Sequence, residues 1–284
     1  MNIHTTIRAP LPFRSNSKRC ARVGDQTVLT GDCLVEMKAL EAESVDAIVT
    51  SPPYNLGIAY RSYDDTVPRS AYLQWIADVA LAMKRVLKED GSLFLNMGAT
   101  NSDPWVLFDV AETLREFFTL QNHIAWVKSI SIGDDTVGHF KPISSYRYLN
   151  QNHEAIFHFT KSGAVQIDRL AVGVPYKDKT NIARRGHAQD KRCAGNTWFI
   201  PYKTVQSRDD KFNHPAAFPS ALAERCLLLH GGDGGVVLDP FLGSGSTLIA
   251  AQTLDWTGIG IEIDPVYAKT SIDRLKHSLS RLAA

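Results

Sequence analysis

The chain has 284 residues, 44% of them hydrophobic and 21% charged, and a formal net charge of +1. This is the composition of a globular protein large enough for a full α/β core, and no apolar run approaches the roughly 20 residues that a membrane helix needs. Near-neutrality leaves nucleic acid open, because binding would depend on a local basic face.

Residues 1–25 carry the scattered cations Arg8, Arg14, Lys18, Arg19 and Arg22 and no apolar stretch for a signal peptide, so they read as a flexible basic tail of a cytoplasmic protein. Short β-rich runs then alternate with helical patterns. Strands are expected at residues 27–30, 45–50, 92–97, 123–127, 154–159, 236–239 and 257–263. Between the second and third, Tyr72, Trp75, Ile76, Val79, Met83, Val86 and Leu87 recur at helical spacing, with Gly91 just past the helix end. Asp103 and Pro104 suit the cap and first position of a helix striped by Leu107, Val110, Ala111, Leu114 and Phe118. Asp264 and Pro265 repeat that signal before a last helix. The alternation predicts an α/β, doubly wound fold: a mixed, mostly parallel seven-stranded sheet covered on both faces. Residues 133–148, with Gly133, Gly138, His139 and Arg147, read as a mobile loop. Residues 162–215 break the rhythm with many basic side chains and read as an insertion with its own task. The expected divisions are therefore 1–25, 26–161, 162–215 and 216–284. The cysteines Cys20, Cys33, Cys193 and Cys226 lack C-x-x-C spacing, so no zinc or dithiol site is expected.

Two stretches carry chemistry. In "IVTSPPYNLG" an apolar strand runs into two prolines, which fix φ and offer no N–H to a sheet. In "VVLDPFLGSGST" a strand ends at Asp239, and Gly243 and Gly245 allow a tight turn that lies close to a ligand before a helix starts near Ser246. The loop has no Walker lysine, and Leu248 stands where a dinucleotide fingerprint has its third glycine. Glu262, ending "TGIGIEID", is placed to bind two ribose hydroxyls. A nucleoside pocket without a phosphate clamp suits S-adenosylmethionine.

With "GDCLVEMKAL", "SVDAIVTSPPYN", "GSLFLNMG", "IAWVKS", "NHEAIFHFTKSG" and "HPAAFP" in this order, the chain resembles the exocyclic-amino DNA methyltransferases of the β group, whose catalytic motif precedes the cofactor motif. The resemblance implies a Rossmann-like methyltransferase fold, with Ser51, Pro52, Pro53 and Tyr54 as catalytic tetrad. It also implies a cofactor site that includes Asp239, with Asp32 near the adenine, Phe241, Gly243 and Gly245 around the methionine part, and Glu262 on the ribose. Chemistry agrees with the tetrad: an amino nitrogen conjugated to a base ring needs acceptors such as Ser51 Oγ and the Pro52 carbonyl, and Tyr54 offers a face for a flipped base. No cysteine follows a proline, which removes C5-cytosine chemistry. Serine at the head of the tetrad leans towards N4 of cytosine over N6 of adenine. Residues 162–215 would recognise the target in double-stranded DNA, with Arg184, Arg185, Lys191 and Arg192 on phosphates or guanine and Asn181, His187 and Asn196 on other base edges. A homodimer is expected from the β group. A catalytically silent DNA-binding protein, or an enzyme acting on RNA or a protein amide, is the alternative.

Overall fold

The computed structural model describes residues 20–132, 134–138, 144–184, 190–201 and 217–282. In chain order the strands are β1 (Cys20–Val23), β2 (Gln26–Thr30), β3 (Val45–Thr50), β4 (Leu87–Met97), β5 (Thr119–Val127), β6 (Ser129–Ile132), β7 (Asp135–Gly138), β8 (His153–Thr160), β9 (Thr197–Phe199), β10 (Val236–Asp239) and β11 (Thr257–Glu262). The helices are α1 (Cys33–Lys38), α2 (Arg69–Val86), α3 (Val106–Arg115), α4 (Thr180–Arg184), α5 (Ser220–His230), α6 (Ser246–Thr253) and α7 (Pro265–Leu282). Among the described residues the main sheet has nine strands in the order β1-β2-β11-β10-β3-β4-β8-β5-β9. Its central seven are the seven strands expected from the sequence. Only β1 and β8 run antiparallel to their neighbours.

Alternation along each strand separates two cores. Ile48, Leu93, Leu95 and Ile259 pack with α1, α2 and α3, whereas Val49, Phe94, Ile156 and Val237 pack with α5 and α6. A third cluster seats α7 through Ala268 and Leu275 against Val28 and Leu248. The fold is thus doubly wound around a mixed, mostly parallel sheet.

Five details differ from the sequence reading. Residues 20–25 are no tail, because Cys20 pairs with Leu29 and Val23 with Gln26 in an edge hairpin; residues 1–19 lie outside the described residues. Helix α2 stops at Val86, and Gly91 lies inside β4, where a Cβ would sit 2.7 Å from Leu87 and 3.0 Å from the Asp46 carbonyl. Helix α3 begins two residues past Pro104, because Asp103 is held in a turn with Thr100 and ion-paired to Arg69. Within residues 133–148, Asp135–Gly138 pairs back on Ser129–Ile132 as a hairpin; Gly133 and His139 lie outside the described residues. The insertion also reaches the main sheet, since β9 pairs parallel to β5 and puts Trp198 in the core at 2% exposure.

Candidate active site

The C-terminal ends of β2, β11, β10, β3 and β4 open into one cavity of about 700 Å³, with the tetrad midway along it. Three contacts brace the tetrad. Thr50 Oγ1 donates to Asp239 Oδ1 at 2.7 Å, joining the ends of β3 and β10. Tyr72 of α2 donates its hydroxyl to the Pro53 carbonyl at 2.7 Å. Beyond Tyr54, Asn55 takes a left-handed φ of 58° and the buried Asp65 accepts from the amides of Asn55, Leu56 and Ile58 at 2.8–3.0 Å. The stiff turn is therefore fastened from the sheet, a helix and its own loop.

On one side of the tetrad, four neighbouring strands each present a polar side chain to the same face. Val49, Phe94, Ile156 and Trp126 share one core cluster, and two positions further towards the cavity lie Ser51, Asn96, Glu154 and Lys128. They form a continuous network. Ser51 Oγ lies 2.7 Å from Tyr54 Oη; Asn96 Nδ2 donates to Tyr54 Oη at 2.8 Å and to Glu154 Oε2 at 2.7 Å. Tyr54 donates to Glu154 Oε2 at 3.3 Å, and Lys128 Nζ pairs with Glu154 Oε1 at 2.7 Å. Burial, then the Glu154 charge, pushes the Tyr54 phenol well above its ordinary pKa, so it stays protonated. The sequence reading did not single out Asn96, Glu154 and Lys128; the available signal was a polar residue flanking a short apolar run, Asn96 after residues 93–95, Glu154 before residues 155–157 and Lys128 after residues 124–127.

The other side has the character of a nucleoside site. Phe241, Gly243, Asp32 and Glu262 line it together with Trp75 and Asp264. Gly243 has a left-handed φ of 51°, and its amide donates to Glu262 Oε2 at 2.7 Å while the Asp264 amide donates to Oε1 at 2.8 Å. Burial pushes the Glu262 carboxyl up to about 6. Asp32 also caps α1, accepting from the Leu34 and Val35 amides. Asp239 and Gly245 are not cavity-lining residues. Asp239 is 1% exposed and accepts from Thr50, Thr247 and the Phe241 amide. A Cβ on Gly245 would meet Ser271 of α7 at 2.9 Å, so this glycine serves the helix entry.

Three carboxylates and an aromatic wall, with no lysine or arginine among the lining residues at this end, suit a group with ribose hydroxyls and positive charge and repel a phosphate. S-adenosylmethionine, with its sulfonium and amino cations, fits that donor set. The family model described as DNA methylase, N6/N4 type, matches residues 45–273. The chain belongs to this DNA methylase family. The methylase is 30% identical over 264 residues to the DNA adenine methyltransferase YhdJ of Escherichia coli K12, covering 88% of this chain and 82% of that one. It is 29% identical over 254 residues to the Type II methyltransferase M.HpaI of Haemophilus parainfluenzae, covering 88% and 74%. Its fold is shared with PvuII DNA methyltransferase (cytosine-N4-specific), at TM-score 0.66 and 19% identity over 90% of this chain and 92% of that one. The Thermus thermophilus protein TTHA0409, solved with S-adenosyl-L-methionine, has TM-score 0.60 at 23% identity, covering 88% and 93%. The methylase is an S-adenosylmethionine-dependent DNA methyltransferase.

The residues expected on DNA are not gathered at the tetrad. Lys191 and Arg192 are exposed and line a separate basic groove with Arg169 and Lys177. Arg184 ends α4, and Arg185 and His187 lie outside the described residues. Asn181 lines the same groove, whereas Asn196 donates to the His123 carbonyl at 2.8 Å and fastens β9 beside β5. No described helix is long and apolar enough to cross a membrane.

Proposed function

We infer that the methylase transfers the methyl group to the exocyclic amino nitrogen of a base flipped out of double-stranded DNA onto Ser51–Tyr54. The carrying observation is a single cavity in which these residues separate an acidic, aromatic end from a polar end. The cofactor supplies an electrophilic methyl. Ser51 Oγ and the Pro52 carbonyl accept from the amino group and favour a pyramidal nitrogen, Tyr54 stacks on the ring, and Glu262 accepts from ribose hydroxyls while Phe241 and Gly243 enclose the methionine part. Asp32 faces the adenine.

Cytosine N4 is the first reading, on serine at the head of the tetrad. Adenine N6 is the second, on the 30% identity to an enzyme named an adenine methyltransferase. Residues 162–215 are the DNA-recognition region, with Arg184, Arg185, Lys191 and Arg192 on phosphates or guanine and His187 on a base edge. The enzyme acts in the cytoplasm as a homodimer, one subunit holding the duplex while the other methylates; a lone, fully active monomer in sedimentation would exclude the dimer. Incubation with labelled S-adenosylmethionine and unmethylated genomic DNA, followed by nucleoside mass spectrometry, should yield N4-methylcytosine. N6-methyladenine would select the second reading, and label in RNA or protein but not in DNA would overturn both.

A further inference from the structure

We propose that Glu154 is a positioning residue that makes Ser51 a hydrogen-bond acceptor towards the target amino group. The inference rests on Ser51 being that acceptor and concerns what sets its polarity.

A serine hydroxyl can donate or accept, and an exocyclic amino group brings its N–H donors to it. Only one orientation is productive. Counting protons around Glu154 selects it. The carboxylate is 18% exposed and ion-paired to Lys128 at 2.7 Å, so in this network its oxygens act as acceptors. Asn96 commits both amide protons, one to Glu154 Oε2 and one to Tyr54 Oη. Its orientation is not interchangeable, because a flipped amide would set its oxygen against a carboxylate oxygen. Tyr54 has one proton and two acceptors in reach, Glu154 Oε2 at 3.3 Å and Ser51 Oγ at 2.7 Å. Turned to Ser51, the proton would leave a phenol lone pair facing the carboxylate; turned to Glu154, it makes a charge-assisted bond. The 2.7 Å contact between Ser51 and Tyr54 is then made by the serine proton, and both Ser51 lone pairs are left for the cavity. Lys128 and Asn96 hold the carboxylate in place from the two adjacent strands, so the polarity of the catalytic serine is set from β8.

Glutamine at position 154 keeps the size but can donate. An amide N–H turned to Tyr54 Oη lets the phenol proton move to Ser51 and turns the serine proton towards the incoming amino group. In full-length enzyme with labelled S-adenosylmethionine and unmethylated genomic DNA, Glu154→Gln should lower kcat about tenfold or more, the effect of one misdirected hydrogen bond at the reacting atom. KM for DNA and calorimetric Kd for S-adenosylmethionine should stay within error, since a merely structural loss would move these as well, whereas Tm should fall because Lys128 loses its ion-pair partner. Tyr54→Phe keeps the ring, cuts the link and should lower kcat by a similar factor. Because the effect passes through the phenol hydroxyl, Glu154→Gln should add nothing in the Tyr54→Phe background. A normal kcat for Tyr54→Phe, or losses that multiply in the double variant, would overturn the proposal. Ser51→Ala separates the two layers. If it is slow while Glu154→Gln is normal, only the polarity role of Glu154 fails; if it turns over at the wild-type rate, the acceptor role of Ser51 fails and takes the proposal with it.

Discussion

At the residue scale, Glu262 and Gly243 carry the proposed cofactor end. Burial raises Glu262 from 4.5 to about 6, so its contribution to folding is present below about 4.5 and is lost as pH rises through about 6. Binding has the opposite sign, because ribose hydroxyls donate to the ionised carboxylate. Affinity for S-adenosylmethionine should therefore strengthen as pH rises through about 6, changing up to about tenfold per unit below it. Calorimetry at several pH values reads this, and Glu262→Gln should flatten the profile; a flat wild-type profile would remove Glu262 from the ribose. Asp239 is also pushed up to about 6, but it faces Thr50 and Thr247, so its titration moves stability rather than affinity. At Gly243 the left-handed φ of 51° disfavours a branched side chain. Gly243→Val should give no binding heat from protein whose circular dichroism is that of the wild type. Normal affinity would place the cofactor elsewhere.

At the element scale, the loop after the tetrad is organised by Asp65, which is 1% exposed. Asp65→Ala would strip the acceptor from three backbone amides, at about 1–3 kcal/mol for each that stays buried and unpaired. Amide exchange at Asn55, Leu56 and Ile58 should quicken sharply and turnover should fall, while the sheet keeps its protection. Uniformly unchanged exchange would show that the loop is held by other contacts. The sequence could not indicate this role, because in "YRSYDDTVP" two adjacent aspartates look alike: Asp64 makes a local exposed turn with Thr66, and Asp65 points inward. The extent of α2 was legible from its 3.6-residue stripe, but its end was not, since Leu87 continues the apolar pattern into β4.

Over the whole molecule, two halves far apart in sequence meet at Asp239. Its carboxylate joins Thr50 of β3, 189 positions away, to Thr247 of α6, both at 2.7 Å. Asp239→Ala should cost at least about 2 kcal/mol in urea unfolding, because the Thr50 hydroxyl and the Phe241 amide lose their acceptor, while the Thr247 hydroxyl keeps the Val49 carbonyl at 3.1 Å. A loss below about 0.5 kcal/mol would mean that water replaces the carboxylate at no cost. The proposed DNA face has its own measurement. With Lys191 and Arg192 both changed to alanine, the log–log salt slope of DNA binding should flatten by about 0.9 for each lost phosphate contact, with cofactor binding untouched. An unchanged slope would return that groove to plain solvent exposure.

Local patterns in the sequence were enough for the seven central strands, for α2, α3, α6 and α7, and for the two turns that carry Ser51 to Tyr54 and Phe241 to Gly245, but not for α1 and α5. These are properties of short stretches: alternation, 3.6-residue spacing, and prolines and glycines whose backbone limits are local. Tertiary structure decided which polar groups face one another. Asp239 and Gly245 belong to motifs read as cofactor-binding, yet one braces two strands and the other admits α7, because their surroundings come from residues far away in the chain. Likewise Ser51, Asn96, Glu154 and Lys128 form one network only because β3, β4, β8 and β5 are neighbours in the sheet. Strand order is set by how whole faces bury against two layers of helices, which no single stretch of sequence encodes.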